Sequence, residues 1–154
     1  MTSDDRTFFQ FEADFVESLR CIPMAVRYKL DTCGVKLKLE HWHQLALPER
    51  EQLVSQACQT EGEIAAYRKL VRSLVWQHTE ALPKDLPIDP APPWLKADQI
   101  SDDVQQQSAE LNVAIAPASW AALSPLQRFA LCKLSRPGHE NRNFLPALQE
   151  FGLP

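Results

Sequence analysis

Five prolines fall between Pro83 and Pro93, and this stretch constrains the chain more than any other. Each proline removes a backbone donor and holds φ near −65°, so neither a helix nor a central strand runs through. Residues 83–99 therefore read as an extended connector lying over the surface, without regular structure. The runs on either side carry helical periodicity. With 154 residues, 45% of them apolar, the chain is long enough to bury a core. The expected fold is mainly α: one helical domain over residues 1–154, of about six or seven helices.

Phe11, Phe15 and Leu19 recur every four residues and Val16 joins them, the stripe of a helix burying one face. Pro23 suits the first turn of a second helix, whose inner face carries Val26, Leu30 and Cys33. Gly34 follows where a left-handed cap is needed. Val35–Leu39 alternates apolar and charged residues, as a short half-buried strand does. Pro48 opens a helix with Leu53, Val54, Ala57 and Cys58. Thr60 and Glu63 have capping-box spacing ahead of Ile64, Tyr67, Val71, Leu74 and His78. Beyond the connector, Ser101 caps a polar helix ending near Asn112. Ser124-Pro125 starts another, with Leu126, Phe129, Ala130 and Leu134 inward. A last one carries Phe144, Leu148 and Phe151 and is stopped by Gly152.

An internal repeat, 24–80 and 102–154, links the halves at a spacing of 78 residues. Val26, Val35, Trp42, Leu45, Arg50 and Leu53 meet Val104, Val113, Trp120, Leu123, Arg128 and Leu131. Gly34 meets Asn112, and these are the residue types best suited to a left-handed cap. The halves are thus expected to be pseudo-symmetric, with Val35–Leu39 and Val113–Ala116 pairing as a β-ribbon. Trp42 and Trp120 read as core pegs.

A net charge of −4 argues against nucleic acid as a partner, because that binding needs a basic face to displace phosphate counterions. No apolar run approaches the roughly 20 residues of a bilayer span. Residues 1–10 lack the basic-then-apolar pattern of a secretory signal. Cys21, Cys33, Cys58 and Cys132 form no CxxC pair and read as reduced core thiols. Together these features predict a cytoplasmic protein without membrane attachment.

The 4 glycines make no phosphate loop and no GxSxG elbow. No local pattern favours a nucleophile, so no catalytic residue and no cofactor is assigned and the chain is expected not to be an enzyme. His41 and His43 form the one fragment that resembles a metal site. In an extended segment they share a side and suit zinc or copper; in a first helical turn they diverge. Protein binding is the better expectation, carried by polar loops. Arg20 and Arg27 flank the Cys21–Met24 turn, and Arg136, His139, Glu140, Asn141 and Arg142 crowd a C-terminal loop. Arg50, on a helix expected to pack internally, should matter less for binding.

At Phe8-Phe-Gln-Phe-Glu-Ala-Asp-Phe-Val16, and again from Leu19-Arg-Cys-Ile-Pro-Met-Ala-Val-Arg-Tyr to Gly34-Val-Lys-Leu-Lys-Leu39, the chain resembles the nitrate reductase-associated proteins of cyanobacteria. A second block, Trp120-x-x-Leu123 and Phe129-Ala-Leu-x-Lys-Leu-Ser-Arg-Pro-Gly-His-Glu-Asn-Arg-Asn-Phe144, is similar to that family too. These blocks cover most of residues 8–151; the connector carries no part of the resemblance. It implies a non-catalytic factor of nitrate assimilation, required by the ferredoxin-dependent nitrate reductase. That enzyme has a bis-molybdopterin guanine dinucleotide molybdenum centre and an iron–sulfur cluster. The implied roles are maturation chaperone or associated subunit. A small metal or cofactor carrier using His41 and His43 is the alternative, and a regulator sensing nitrogen status a third reading.

Overall fold

The computed structural model of the chain describes residues 8–13 and 19–153, with His139 and Glu140 described by their backbone alone. It is mainly α, with one small antiparallel sheet among the described residues. Two compact units divide the chain, Met1–Ile88 and Asp89–Pro154. Of the helix expected around Phe11 and Leu19, Phe15 and Val16 lie outside the described residues. The described part shows a 3-10 turn, Gln10–Glu12.

In the first unit Pro23 stands just before helix α1 (Met24–Cys33), where a missing N–H costs nothing. Its carbonyl accepts the Val26 and Arg27 amides at 3.0 Å each. The fully buried Glu12 carboxylate accepts the Met24 amide at 3.0 Å and the Phe9 amide at 2.9 Å. A carboxylate there also faces the positive end of the helix dipole. Val26, Leu30 and Cys33 turn inward as the periodicity predicts. Gly34 takes φ +78 and its N–H returns to the Leu30 carbonyl at 2.9 Å. An added Cβ would lie 2.8 Å from the exposed Ile88 side chain, which could shift aside, and 3.1 Å from the Leu86 carbonyl oxygen, so the positive φ is the main reason for glycine here.

Strand β1 is only Val35–Lys36, because Lys38 already stands at the start of α2 (Leu39–Gln44). Its partner is not Val113–Ala116, as the repeat predicted. It is β2 (Lys84–Asp85), with Val35 opposite Asp85 and Lys36 opposite Lys84. Val113–Ala116 forms no strand. The connector is correspondingly less irregular than expected: Leu86 donates to the Gly34 carbonyl at 2.8 Å, and Pro93–Leu95 makes a 3-10 turn. Short extended pieces gain order where a neighbouring carbonyl is left unpaired.

Helices α3 (Leu47–Ser55) and α4 (Glu61–Thr79) complete the first unit. Thr60 Oγ1 accepts the Glu63 amide and Glu63 Oε1 accepts the Thr60 amide, closing the expected capping box. Trp42, Leu53, Tyr67 and Val71 are fully buried around α1. Burial of each large aliphatic side chain stabilises by about 1.5–3 kcal/mol. Arg50 does not merely face inward from α3. Its guanidinium donates to the carbonyls of Trp42, Leu19 and His43, each at 3.0 Å, and Trp42 Nε1 donates to Leu19 at 2.8 Å. Its role is architectural.

The second unit holds α5 (Asp102–Glu110), α6 (Pro117–Ala122), α7 (Pro125–Leu134) and α8 (Phe144–Glu150). Val104, Trp120, Phe129, Leu131, Phe144 and Leu148 form its core, and the Trp94 ring meets Phe129 edge-on at 4.9 Å. Ser124 accepts the Gln127 amide at 3.1 Å, as expected of a cap. Ser101 occupies the cap position of α5 without capping it; its hydroxyl serves Cys132 instead. The buried Arg128 donates to the carbonyls of Trp94, Trp120, Ala121 and Leu123.

Candidate partner-binding site

The sequence assigns recognition to two loops, one in each unit. In the first unit, Arg20 is exposed and follows Leu19, which is buried and held at φ +54. Its carbonyl pairs with His43 Nε2 at 2.9 Å, so the backbone is pinned while the guanidinium projects outward. Behind it the turn sinks: Cys21 and Ile22 are half-buried, Pro23 and Met24 buried. Arg27, in the first turn of α1, is half-buried. Among the described residues all four cysteines are free thiols, but Cys21 is more accessible than the expected core position.

In the second unit Arg136, Pro137 and Gly138 are exposed beyond α7, and Gly138 has φ +142. The chain then forms a 3-10 turn, His139–Asn143. Asn141 is used within the protein: its Nδ2 donates to the carbonyls of Leu134 at 3.2 Å and Arg136 at 3.3 Å. Its Oδ1 accepts Gln107 Nε2 at 3.3 Å. Asn141 thus closes the loop that presents Arg136 and Arg142, both exposed.

Helix α2 separates the two histidines of the metal alternative. Residues two apart on a helix lie about 200° apart around its axis. His41 Nδ1 accepts the Lys38 amide at 3.2 Å, and His43 is engaged with Arg20. Among the described residues no group of three side chains suited to a metal ion is found. Burial pushes the thiols of Cys33 and Cys132 up to about 11, so both are protonated and poor nucleophiles at neutral pH.

Several polar groups that fix the scaffold escaped the sequence reading. Lys29, buried on α1, donates to the Val54 and Gln56 carbonyls at 2.7 Å each. Tyr67 Oη donates to Leu53 at 2.7 Å. Arg68 donates to the Cys33 and Gly34 carbonyls and pairs with Asp85 at 2.7 Å. The signal for Lys29 was its place on the same stripe as Val26, Leu30 and Cys33.

Fold and site define a mainly α protein that uses buried cations to bind its own backbone carbonyls and turns arginine-bearing loops outward. The chain belongs to the family of conserved nitrate reductase-associated proteins, whose profile matches residues 8–151. Comparison with curated proteins and with solved structures gave no match. No described helix is long and apolar enough to cross a membrane.

Proposed function

We propose that the chain is a non-catalytic partner of a molybdenum-dependent assimilatory nitrate reductase of the ferredoxin-dependent kind. It acts as a maturation or stabilising factor, or stays as an associated subunit. Family membership across residues 8–151 carries this reading. The exposed arginines Arg20, Arg136 and Arg142 support it, since guanidinium groups bind carboxylates in pairs and recur at interface hot spots. Trp76, with 53% of its surface exposed on α4, belongs to another residue type enriched there.

The test is affinity purification of the full chain from its native cell. The reductase should accompany it, and a metal analysis of the purified protein should find no stoichiometric ion. Stoichiometric metal without the reductase would favour the carrier reading instead. Replacing Arg136→Ala, while keeping Asn141, should leave melting unchanged and weaken binding by about 1–4 kcal/mol. Undiminished co-purification would remove the C-terminal loop from the interface.

A further inference from the structure

We infer that residues 24–55 and 102–133 are two copies of one folding unit, each with a Trp–Arg latch that holds the backbone of the segment preceding it. The helices correspond at the 78-residue spacing: α1 with α5, α2 with α6, α3 with α7. Gly34 and Asn112 both take positive φ, at +78 and +59. Between the helices of each pair, Leu45 and Leu123 return their amides to Trp42 and Trp120 at 3.1 Å. The amides of Ala46 and Ser124 are taken by the side chains of Glu49 and Gln127 at 2.8 and 2.9 Å.

The latch repeats in the carbonyls it bonds, although different guanidinium nitrogens serve them and Arg128 also donates to Leu123 at 2.8 Å. A six-residue helix leaves its last carbonyls without helical partners. In both copies the arginine eight residues after the tryptophan supplies them. Arg50 bonds the carbonyls of Trp42 and His43; Arg128 bonds those of Trp120 and Ala121. A further donor of the same guanidinium reaches back to the incoming segment, at Leu19 in one unit and Trp94 in the other. A buried indole N–H needs an acceptor, and each tryptophan finds it on that segment too, at Leu19 and at Lys96. Helix packing alone requires apolar faces, not this set of bonds. The copies have diverged around it: the first carries β1, the second buries Phe129 where the first exposes Glu51.

Besides the end of its own six-residue helix, the latch bonds only carbonyls of the incoming segment, so weakening it should free that segment and that helix end before the longer helices. Amide exchange in the full chain tests this. Arg50→Lys keeps the charge but loses the fork, and should speed exchange of the Glu12 and Met24 amides about tenfold to a hundredfold, leaving Val71 in α4 unchanged. Arg128→Lys should do the same to Leu95 and Lys96, leaving Leu148 in α8 unchanged. Trp42→Phe and Trp120→Phe, which remove one N–H and keep most of the ring bulk, give the same readout should an arginine variant fail to fold. Unchanged exchange in the incoming segments, a response in one unit only, or equal acceleration throughout a unit would each overturn the inference.

Discussion

Lys29 shares the apolar stripe of α1 with Val26, Leu30 and Cys33 and is buried with them. Its ammonium joins two carbonyls at the C-terminal end of α3, where the helix dipole is negative, and lies 5.7 Å from the Tyr67 ring centre. Lys29→Met keeps the stem and removes the donors. It should cost roughly 1–3 kcal/mol for each carbonyl left unsatisfied, read as a fall in the urea midpoint. A midpoint equal to the parent's would show that water replaces the ammonium. The burial of Lys29 was open to reading from its place on that stripe, but its acceptors, 25 and 27 residues away, were not. Glu12 and Arg68 escaped for the same reason, bonding 12 and 35 residues along the chain. Gly34 was legible, since a left-handed cap declares itself by residue type.

Helix starts were the elements most open to reading, because a cap's donor and acceptor lie within one turn. Thr60→Ala and Ser124→Ala should each cost about 1 kcal/mol of stability. Thermal melts of the two variants check this, and a loss well below that size would mean water takes over the cap. Strands were harder. The alternation over Val35–Leu39 is a fair strand pattern, but the strand can be no longer than its partner, and β2 has two residues. The choice of β2 over Val113–Ala116 depends on where the connector runs, which periodicity does not encode. At the C-terminal loop, exposure of Arg136 and Arg142 was foreseeable from polarity. Asn141 was not, because its inward use follows from the 3-10 turn that brings its amide back under α7.

At the scale of the molecule, Glu49, Glu63 and Asp85, all in the first unit, are held below the ordinary carboxylate pKa. For Glu49 desolvation pushes upward, but the Ala46 amide and His78 together outweigh it. Glu63 is lowered by the Thr60 and Gln59 amides, Asp85 by Arg68 and then Arg72. These contacts tie the start of α3 to the end of α4, cap α4, and join β2 to α4. A folded pKa below the unfolded value means fewer protons bound when folded. The contribution is therefore present above the unfolded carboxylate range near about 4 and is lost as pH falls through the folded values. Melting of the first unit should drop as pH falls below about 5 and keep falling through the folded values. The triple variant Glu49→Gln, Glu63→Gln, Asp85→Asn should start lower and fall less steeply. High salt should weaken the share owed to the exposed Asp85 pair and spare the amide bonds at Glu63. A triple variant whose melting temperature falls as steeply with acid as the parent's would place the acid sensitivity in other carboxylates.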